Sequence, residues 1–133
     1  MGYLSAIAHE LFGSRIELPG HLGEEWPELC EVTYRRGGLP LRVGGWCLGQ
    51  PTVAAVTLGR TVFLARNTEF NPVLLLHELR HVQQFSERRA FPFHYIWESV
   101  RRGYHANRFE SDARAYAARQ FERSSLTGSE DDV

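Results

Sequence analysis

The clearest hydrophobic pattern in the chain lies between residues 72 and 89, where apolar side chains recur every three or four positions. At 100° per residue, Leu75, Leu79 and Val82 fall on one side of a helix, and the opposite side is polar. Asn71 is a residue type that caps helix N-termini, and the proline after it suits the first helical position. The pattern predicts a helix over about 72–89 with one buried face.

Two runs rich in β-branched residues precede this helix. They cover Val53–Thr57 and Thr61–Ala65, and a turn containing Gly59 and Arg60 separates them. Short β-branched runs on either side of a glycine-containing turn are typical of a β-hairpin. The sequence therefore predicts a hairpin that leads directly into the helix at 72–89.

Helical spacing recurs in three other segments of the chain. Residues 3–12 predict a short helix, and residues 92–102 predict another, which Gly103 can end as a C-cap. A last helix is predicted over 107–123. The polar and acidic residues 124–133 have too few apolar side chains to fold, so we expect a disordered tail.

The segment from Ile16 to Pro51 is rich in glycine, proline and acidic residues, and it predicts a short irregular strand followed by a turn at Gly37 and Gly38. Taken together, the elements predict an α+β fold. We expect a small antiparallel sheet or hairpin packed on the helix at 72–89, plus two C-terminal helices. No repeat or long linker divides the chain, so we expect one domain over residues 1–123.

Composition and charge narrow the classes of partner. The chain has 133 residues, of which 43% are hydrophobic and 23% are charged, and its net charge is −1. These values are ordinary for a globular domain and supply no overall field for nucleic acid or membrane. Arginine pairs at 35–36, 88–89 and 101–102 are scattered and lack an interleaved aromatic platform. We expect no nucleic-acid partner and no membrane partner.

Cysteine usage and the N-terminus bear on the compartment. Cys30 and Cys47 are too few for a disulfide framework and lack CxxC spacing, so reduced, partly buried thiols are favoured, and a single bridge stays open. The N-terminal residues have no basic segment followed by a long apolar one, and no stretch approaches the roughly 18 apolar residues of a membrane span. We expect a cytoplasmic protein, or one exported without a cleaved signal.

The polar side of the predicted helix contains the residues with chemical potential. His77 and His81 are four positions apart and point the same way, and histidines at this spacing converge on one metal ion. Glu78 is turned about 100° from His77, near enough to engage a water at that ion. A zinc ion would thus satisfy two imidazoles that are costly to bury without partners.

A structural alternative exists for these three residues. The two histidines could lie in the core and bond to backbone carbonyls, while Glu78 pairs with Arg80 or Arg88. This alternative leaves the exact spacing of the two histidines and the glutamate unexplained. The apolar reverse face of the helix also suits a rigid platform for a site, so we favour the metal.

A catalytic zinc site needs a third protein ligand and an open fourth position. On the last predicted helix, Glu110 falls in the same angular sector as Ala113, Ala117 and Phe121, so it points inward from an apolar face. Asp112 falls on the opposite side among arginines. An inward carboxylate needs a cation, which makes Glu110 the preferred third ligand.

Glu110 could instead cap its own helix, and a histidine could take its place as the third ligand. Asn107 followed three residues later by Glu110 resembles a capping box, in which the glutamate bonds the backbone of the cap residue. His105 is the second choice of ligand and His94 the third. Either would require the intervening turn to fold back over the helix at 72–89.

The segment from about Val53 to Ala118 resembles the zincin metallopeptidases, and among them the compact bacterial glutamate-ligand (gluzincin) type. The resemblance consists of "AAVTLGRTVFLA" before the helix, "LLLHELRHVQQF" on it, and "YHANRFESDARAYA" at the start of the last helix. The first fifty residues resemble no family. The resemblance implies zinc ligands at His77, His81 and Glu110 and a general base at Glu78.

A zinc-dependent metallopeptidase acting on a peptide or protein substrate is the function that this resemblance implies. Glu78 would take a proton as zinc-activated water attacks a peptide carbonyl. Tyr104, or less favourably Tyr95, would donate to the oxyanion, although aromatic packing explains either tyrosine equally well. Thr61–Ala65 is the expected edge strand for the substrate. Arg114 stands where many gluzincins have an acidic residue that holds a ligand histidine.

The alternative function is a catalytically silent zincin-like module. Such a protein would retain the metal and act in binding, in regulation or as part of a toxin system, because a fold does not determine a function. Metal content together with a casein or peptide-library cleavage assay separates the two hypotheses, and a Glu78→Gln variant that cleaves peptides as fast as the parent would show that Glu78 is not the base.

Overall fold

The computed structural model describes residues 2–47 and 53–130, which form an α+β fold of six α-helices, a 3-10 helix and four strands. This confirms the predicted fold class. The helices are α1 (Gly2–Phe12), α2 (Gly20–Glu25), α3 (Leu39–Cys47), α4 (Pro72–Glu87), α5 (Phe91–Arg102) and α6 (Arg108–Glu130), and the 3-10 helix covers Pro27–Glu31. The strands are β1 (Ser14–Ile16), β2 (Thr33–Arg36), β3 (Ala55–Leu58) and β4 (Thr61–Leu64).

The four strands form one mixed sheet in the order β1-β2-β4-β3. The β3–β4 hairpin is antiparallel, as predicted, but β2 pairs with β4 in parallel. Thr33 N donates to Arg60 O and Gly37 N donates to Leu64 O, which extends this pairing at both ends of β2. The prediction of Thr61–Ala65 as an edge strand is therefore wrong, because β4 lies between β2 and β3. The edge strand of the hairpin is β3.

Helix α4 covers the sheet with the apolar face that its spacing predicts. Leu75, Leu76 and Leu79 are almost fully buried and share one core cluster with Leu64 of β4. The helix begins as expected, because Asn71 Oδ1 accepts hydrogen bonds from the backbone N–H groups of the next turn at 2.9 and 3.3 Å. This packing fixes the rotation of α4 and turns its opposite face away from the sheet.

Helix α6 lies against α4, and small residues allow the close approach. Ala113 and Ala117 are 0% and 1% exposed. The predicted end at Arg123 is wrong, and residues 124–130 are helical rather than disordered. Ser125 Oγ donates to the carbonyl of Phe121 and Thr127 Oγ1 to that of Arg123, so hydroxyl groups in the last turns bond back to the helix. The rest of the expected tail, 131–133, lies outside the described residues.

Glycines at two predicted turns have the expected conformation. Gly37 and Gly38 have φ angles of +73° and +109°, and a Cβ on Gly38 would lie 3.0 Å from the backbone nitrogen of Gly13. Gly103 ends α5 with φ +80°. Over residues 2–47 and 53–130, no helix has both the length and the apolarity that crossing a membrane requires.

The cysteines match the expectation in part. Cys30 is a free thiol, but it is exposed, whereas the sequence predicted a partly buried one. The short 3-10 helix explains this, because its buried position is taken by the neighbouring Leu29. The side chain of Cys47 lies outside the described residues.

Candidate metal centre

Three side chains from two helices meet between α4 and α6. His77 Nε2 lies 2.8 Å from Glu110 Oε2, and His81 Nε2 lies 3.1 Å from Glu110 Oε1. The two Nε2 atoms are 3.2 Å apart. These residues form a group of the kind that could hold a metal ion. The structure thus brings the three predicted ligands together, while their role as ligands stays a prediction.

The separations suit a tetrahedral metal ion. An ion with bonds of about 2.0–2.1 Å has its ligand atoms about 3.3–3.4 Å apart. The two Nε2 atoms, 3.2 Å apart, are close to that spacing, and each of them lies 2.8 or 3.1 Å from one oxygen of the Glu110 carboxylate. Two imidazoles and one carboxylate are also the ligand set of a common class of catalytic zinc site. The residues therefore fit a zinc ion with one position left for solvent or substrate.

Gln84 determines which nitrogen of His81 faces the site. Its amide Nε2 donates to Phe109 O at 3.1 Å and to Asp112 Oδ2 at 2.9 Å, so its Oε1 is left to face His81. His81 Nδ1, 2.8 Å from that oxygen, must donate the proton. In the neutral ring, Nε2 then directs a lone pair at Glu110, so this nitrogen and the carboxylate oxygen face each other as two hydrogen-bond acceptors. Either a proton on Nε2 or a metal ion between them would remove this repulsion.

Asp112 and Arg80 extend this network behind His81. Arg80 Nε donates to Asp112 Oδ2 at 2.6 Å, and Arg80 also pairs with Glu87 at 3.0 Å. Asp112 therefore packs against α4, whereas the sequence placed it among arginines on the outward side. Outer partners of this kind orient ligand histidines. Arg114 does not contact either histidine but donates to the carbonyl of His105, and the residue that contacts the outer nitrogen of His81 is Gln84.

Glu110 is held by Tyr95 as well as by the histidines. The Tyr95 hydroxyl donates to Glu110 Oε1 at 2.6 Å. The capping-box alternative does not describe this geometry, because the glutamate side chain points at the histidines. Asn107 caps α6 through its own Oδ1, which accepts from Phe109 N at 2.9 Å. Its Nδ2 donates to Tyr95 O and to Ser99 Oγ, at 3.1 and 2.8 Å, and so ties α5 to α6.

Glu78 lies beside the three candidate ligands, and one of its carboxylate oxygens already accepts a hydrogen bond. It is 6% exposed, and its Oε2 accepts a hydrogen bond of 2.6 Å from Thr57 Oγ1 on β3. The alternative in which Glu78 pairs with Arg80 or Arg88 does not occur. Arg80 binds Asp112 and Glu87, and Arg88 lies over the ring of Phe109. The hydrogen bond from Thr57 fixes the direction of the Glu78 carboxylate.

Electrostatics favour a cation at this point. Burial alone would lower the pKa of His81, but its hydrogen bond to Glu110 and the charges of Glu78 and Glu110 raise it to about 9. Burial would raise the pKa of Glu110, but hydrogen bonds to His77 and His81 hold it well below its ordinary value. The surroundings thus stabilise positive charge on the imidazole side and negative charge on Glu110.

The remaining predicted residues separate into two groups. Tyr104 lines the same cavity as Glu110 and Glu78, and burial together with the charges of these two carboxylates raises its pKa to about 12. His105 and His94 are exposed, and neither belongs to the ligand group found among the described residues. The second and third choices of ligand are therefore not at the site.

A cavity of about 1390 Å³, as bounded by the described residues, contains the candidate centre. His77, Glu78 and Glu110 line it together with Tyr104. All of β3 forms one part of the wall, and α5 contributes to another. The candidate ligands and the candidate base thus line one shared cavity.

Sequence reasoning missed several residues that support the centre. Thr57, Gln84, Tyr95 and Asp112 were placed on their elements, but their contacts with the site residues were not predicted. For Gln84 a local signal exists, since a residue three positions after His81 lies on the same side of a helix. For Thr57 and Asp112 no local signal exists, because they reach the site from other elements.

Comparisons of the chain with protein-family models, with curated proteins and with solved structures return no match.

Proposed function

We propose that this protein is a zinc-dependent metallopeptidase. The observation that supports the proposal best is the convergence of His77, His81 and Glu110, with Glu78 beside them in the same cavity. A structural cluster would need neither a carboxylate fixed next to the ligands nor a shared space for a substrate. The resemblance to zincins, which rests on the same residues, implies the same assignment.

His77, His81 and Glu110 would hold the ion through two Nε2 atoms and the carboxylate. A bound zinc ion supplies Lewis acidity, which polarises a carbonyl and lowers the pKa of water towards about 7. Gln84 keeps the His81 proton on Nδ1, so that Nε2 is free to bind. Tyr95 fixes Glu110 through its short hydrogen bond.

Glu78 would act as the general base. Its Oε2 is engaged by Thr57, which leaves Oε1 to accept a proton from the attacking water. The same oxygen then returns the proton to the nitrogen of the leaving amine. Tyr104 lines the cavity and is the proposed donor to the oxyanion, since a phenol is protonated at neutral pH and burial raises this one's pKa further, to about 12.

The edge of β3 would hold the substrate as an added strand. Ala54 O accepts from Ala65 N, and in an antiparallel ladder the residues that bond to the partner strand alternate. By this alternation the backbone groups of Ala55 and Thr57 point away from β4. Among the described residues they would be available to an extended peptide, and Thr57 would place the scissile bond of that peptide near Glu78.

Metal analysis and a peptide-cleavage assay test the proposal. The purified parent should contain one zinc ion per chain, and Glu110→Ala should lose most of it. Glu78→Gln should keep the zinc and lose hydrolysis by at least about a hundredfold, since general bases contribute about 10²–10⁴-fold. His94→Ala is the matched control, because this exposed histidine lies outside the ligand group.

Each outcome decides between hypotheses. A parent that binds no divalent metal, or a Glu110→Ala variant that binds it as tightly, would overturn the metal centre. A parent that binds zinc without cleaving any member of a peptide library would favour the silent binding module. A peptide or protein substrate stays a prediction until these assays are done. The cytoplasmic location is a separate prediction.

A further inference from the structure

Helix α5 exposes an unbroken apolar stripe. Phe93, Ile96, Trp97 and Val100 are spaced i, i+3, i+4 and i+7, and they are 77%, 56%, 62% and 75% exposed. At this spacing the four side chains occupy one face of a helix. Two large aromatic residues on such a face are unusual for a surface that meets only water.

The same segment has a strong local positive charge. Residues 88–102 contain four arginines and one acid, a net charge of +3, so the rest of the chain carries −4 of the total of −1. The single acid, Glu98, is 4% exposed and faces Arg102 and Arg108 rather than solvent. In the part of the chain that the structure describes, Arg89 and Arg101 form no ion pair. Arg101 lies one turn from Trp97, beside the stripe.

A substrate bound in the cavity of the candidate centre would not account for this exposed stripe. Ile96 and Val100 line the cavity, but Phe93 and Trp97 are not among the described residues that bound it. A peptide in the cavity would therefore leave the side chains of Phe93 and Trp97 uncovered. A second copy of the chain is also disfavoured, because a two-fold contact through α5 would bring two segments of charge +3 together.

We propose that α5 docks the protein onto an anionic phospholipid surface. Its 12 residues are too few to span a bilayer, which takes about 20, so the helix would lie in the interface. Phe93 and Trp97 would insert among the acyl chains, and Arg89 and Arg101 would meet the headgroups. Because Ile96 and Val100 border the cavity, docking would place the side of the cavity that α5 forms next to the membrane.

This inference does not rest on the proposed peptidase activity. The expectation of no membrane partner followed from the net charge and from the lack of a membrane span in the sequence. Neither property describes one local surface. The folded chain buries Glu98 and exposes the apolar stripe, and this produces a basic, amphipathic face that the overall charge of −1 conceals.

Vesicle flotation with the full chain tests the proposal. The protein should float with vesicles of phosphatidylcholine and phosphatidylglycerol in equal parts, and not with phosphatidylcholine alone. Raising the salt from about 0.01 to 0.15 M shortens the Debye length from about 30 to 8 Å, so binding should weaken. Glu78→Gln should bind vesicles like the parent, which separates this test from that of the peptidase.

Variants locate the docking surface. Phe93→Ser should weaken vesicle binding about tenfold or more, as expected from the loss of a buried aromatic side chain. The double variant Arg89→Glu with Arg101→Glu should weaken binding by at least about tenfold as well. Leu4→Ser is the matched control, because Leu4 on α1 is also 77% exposed. Circular dichroism should show the parent's fold in every variant.

Several results would overturn the proposal. The proposal fails if the protein does not bind anionic vesicles or binds both vesicle types equally well. It also fails if Leu4→Ser weakens vesicle binding as much as Phe93→Ser does. A dimer in solution that Phe93→Ser dissociates, without vesicle binding, would assign the stripe to a second copy instead.

Discussion

Replacing Gln84 with alanine tests the network behind His81. In the parent, Gln84 accepts from His81 Nδ1 at 2.8 Å and donates to Phe109 O and Asp112 Oδ2 at 3.1 and 2.9 Å. Alanine removes all three bonds and leaves the His81 Nδ1 proton in a buried place without its acceptor. The ring is then free to change tautomer or to rotate.

Two different losses follow from this change. Outer partners of ligand histidines are worth about 10–100-fold in metal affinity, or about 1.4–2.7 kcal/mol. Zinc affinity should therefore fall by that factor, without loss of any ligand. Three hydrogen bonds at about 1 kcal/mol each should also lower the free energy of unfolding of the metal-free protein by about 3 kcal/mol.

Competition with a chromophoric chelator measures the affinity, and urea unfolding measures the stability. Gln83→Ala is the matched control, because Gln83 bonds to Arg80 and Tyr116 and touches no ligand. Gln84→Glu should recover part of the zinc affinity, since a carboxylate also accepts from Nδ1, but its repulsion from Asp112 should cost stability. The reasoning is refuted if Gln84→Ala binds zinc as tightly as Gln83→Ala does.

Three further predictions concern other parts of the centre. Thr57→Val should keep the zinc but reduce kcat about tenfold or more, because Glu78 loses the hydrogen bond that orients it. Steady-state kinetics in which only KM changes would contradict this prediction. Asn107→Ala should lower the free energy of unfolding in urea by about 3 kcal/mol, since the variant loses the helix cap and two hydrogen bonds to α5. Asn71→Ala, which removes an exposed cap only, should lower it by about 1 kcal/mol. Equal losses for the two variants would refute the tie between α5 and α6. Zinc at about 100 times its Kd should stabilise the parent by about 2.7 kcal/mol in the same assay, and this gain should be absent from Glu110→Ala.

The sequence alone determined the features that depend on local periodicity. One turn of helix separates His77 from His81 wherever that helix lies, so their common direction follows from spacing. The leucines on the reverse face fix which side is buried. Turn and cap chemistry at Gly37, Asn71 and Gly103 likewise acts within a few residues, and the structure has each of them as predicted.

Only the tertiary structure decided what meets across the chain. Glu110 lies 33 residues from His77; its inward direction made it the preferred third ligand, but only the packing of α6 against α4 brings its carboxylate within 2.8 Å of His77. Pairing of β2 with β4 moved the sheet edge to β3, and the contact from Thr57 to Glu78 joins that edge to α4. Such contacts depend on how separate elements pack, because no short-range pattern encodes the pairing of distant segments. The exposed stripe on α5 also depends on packing. Periodicity places its residues on one face of the helix, but only the packing of the chain leaves that face exposed to solvent.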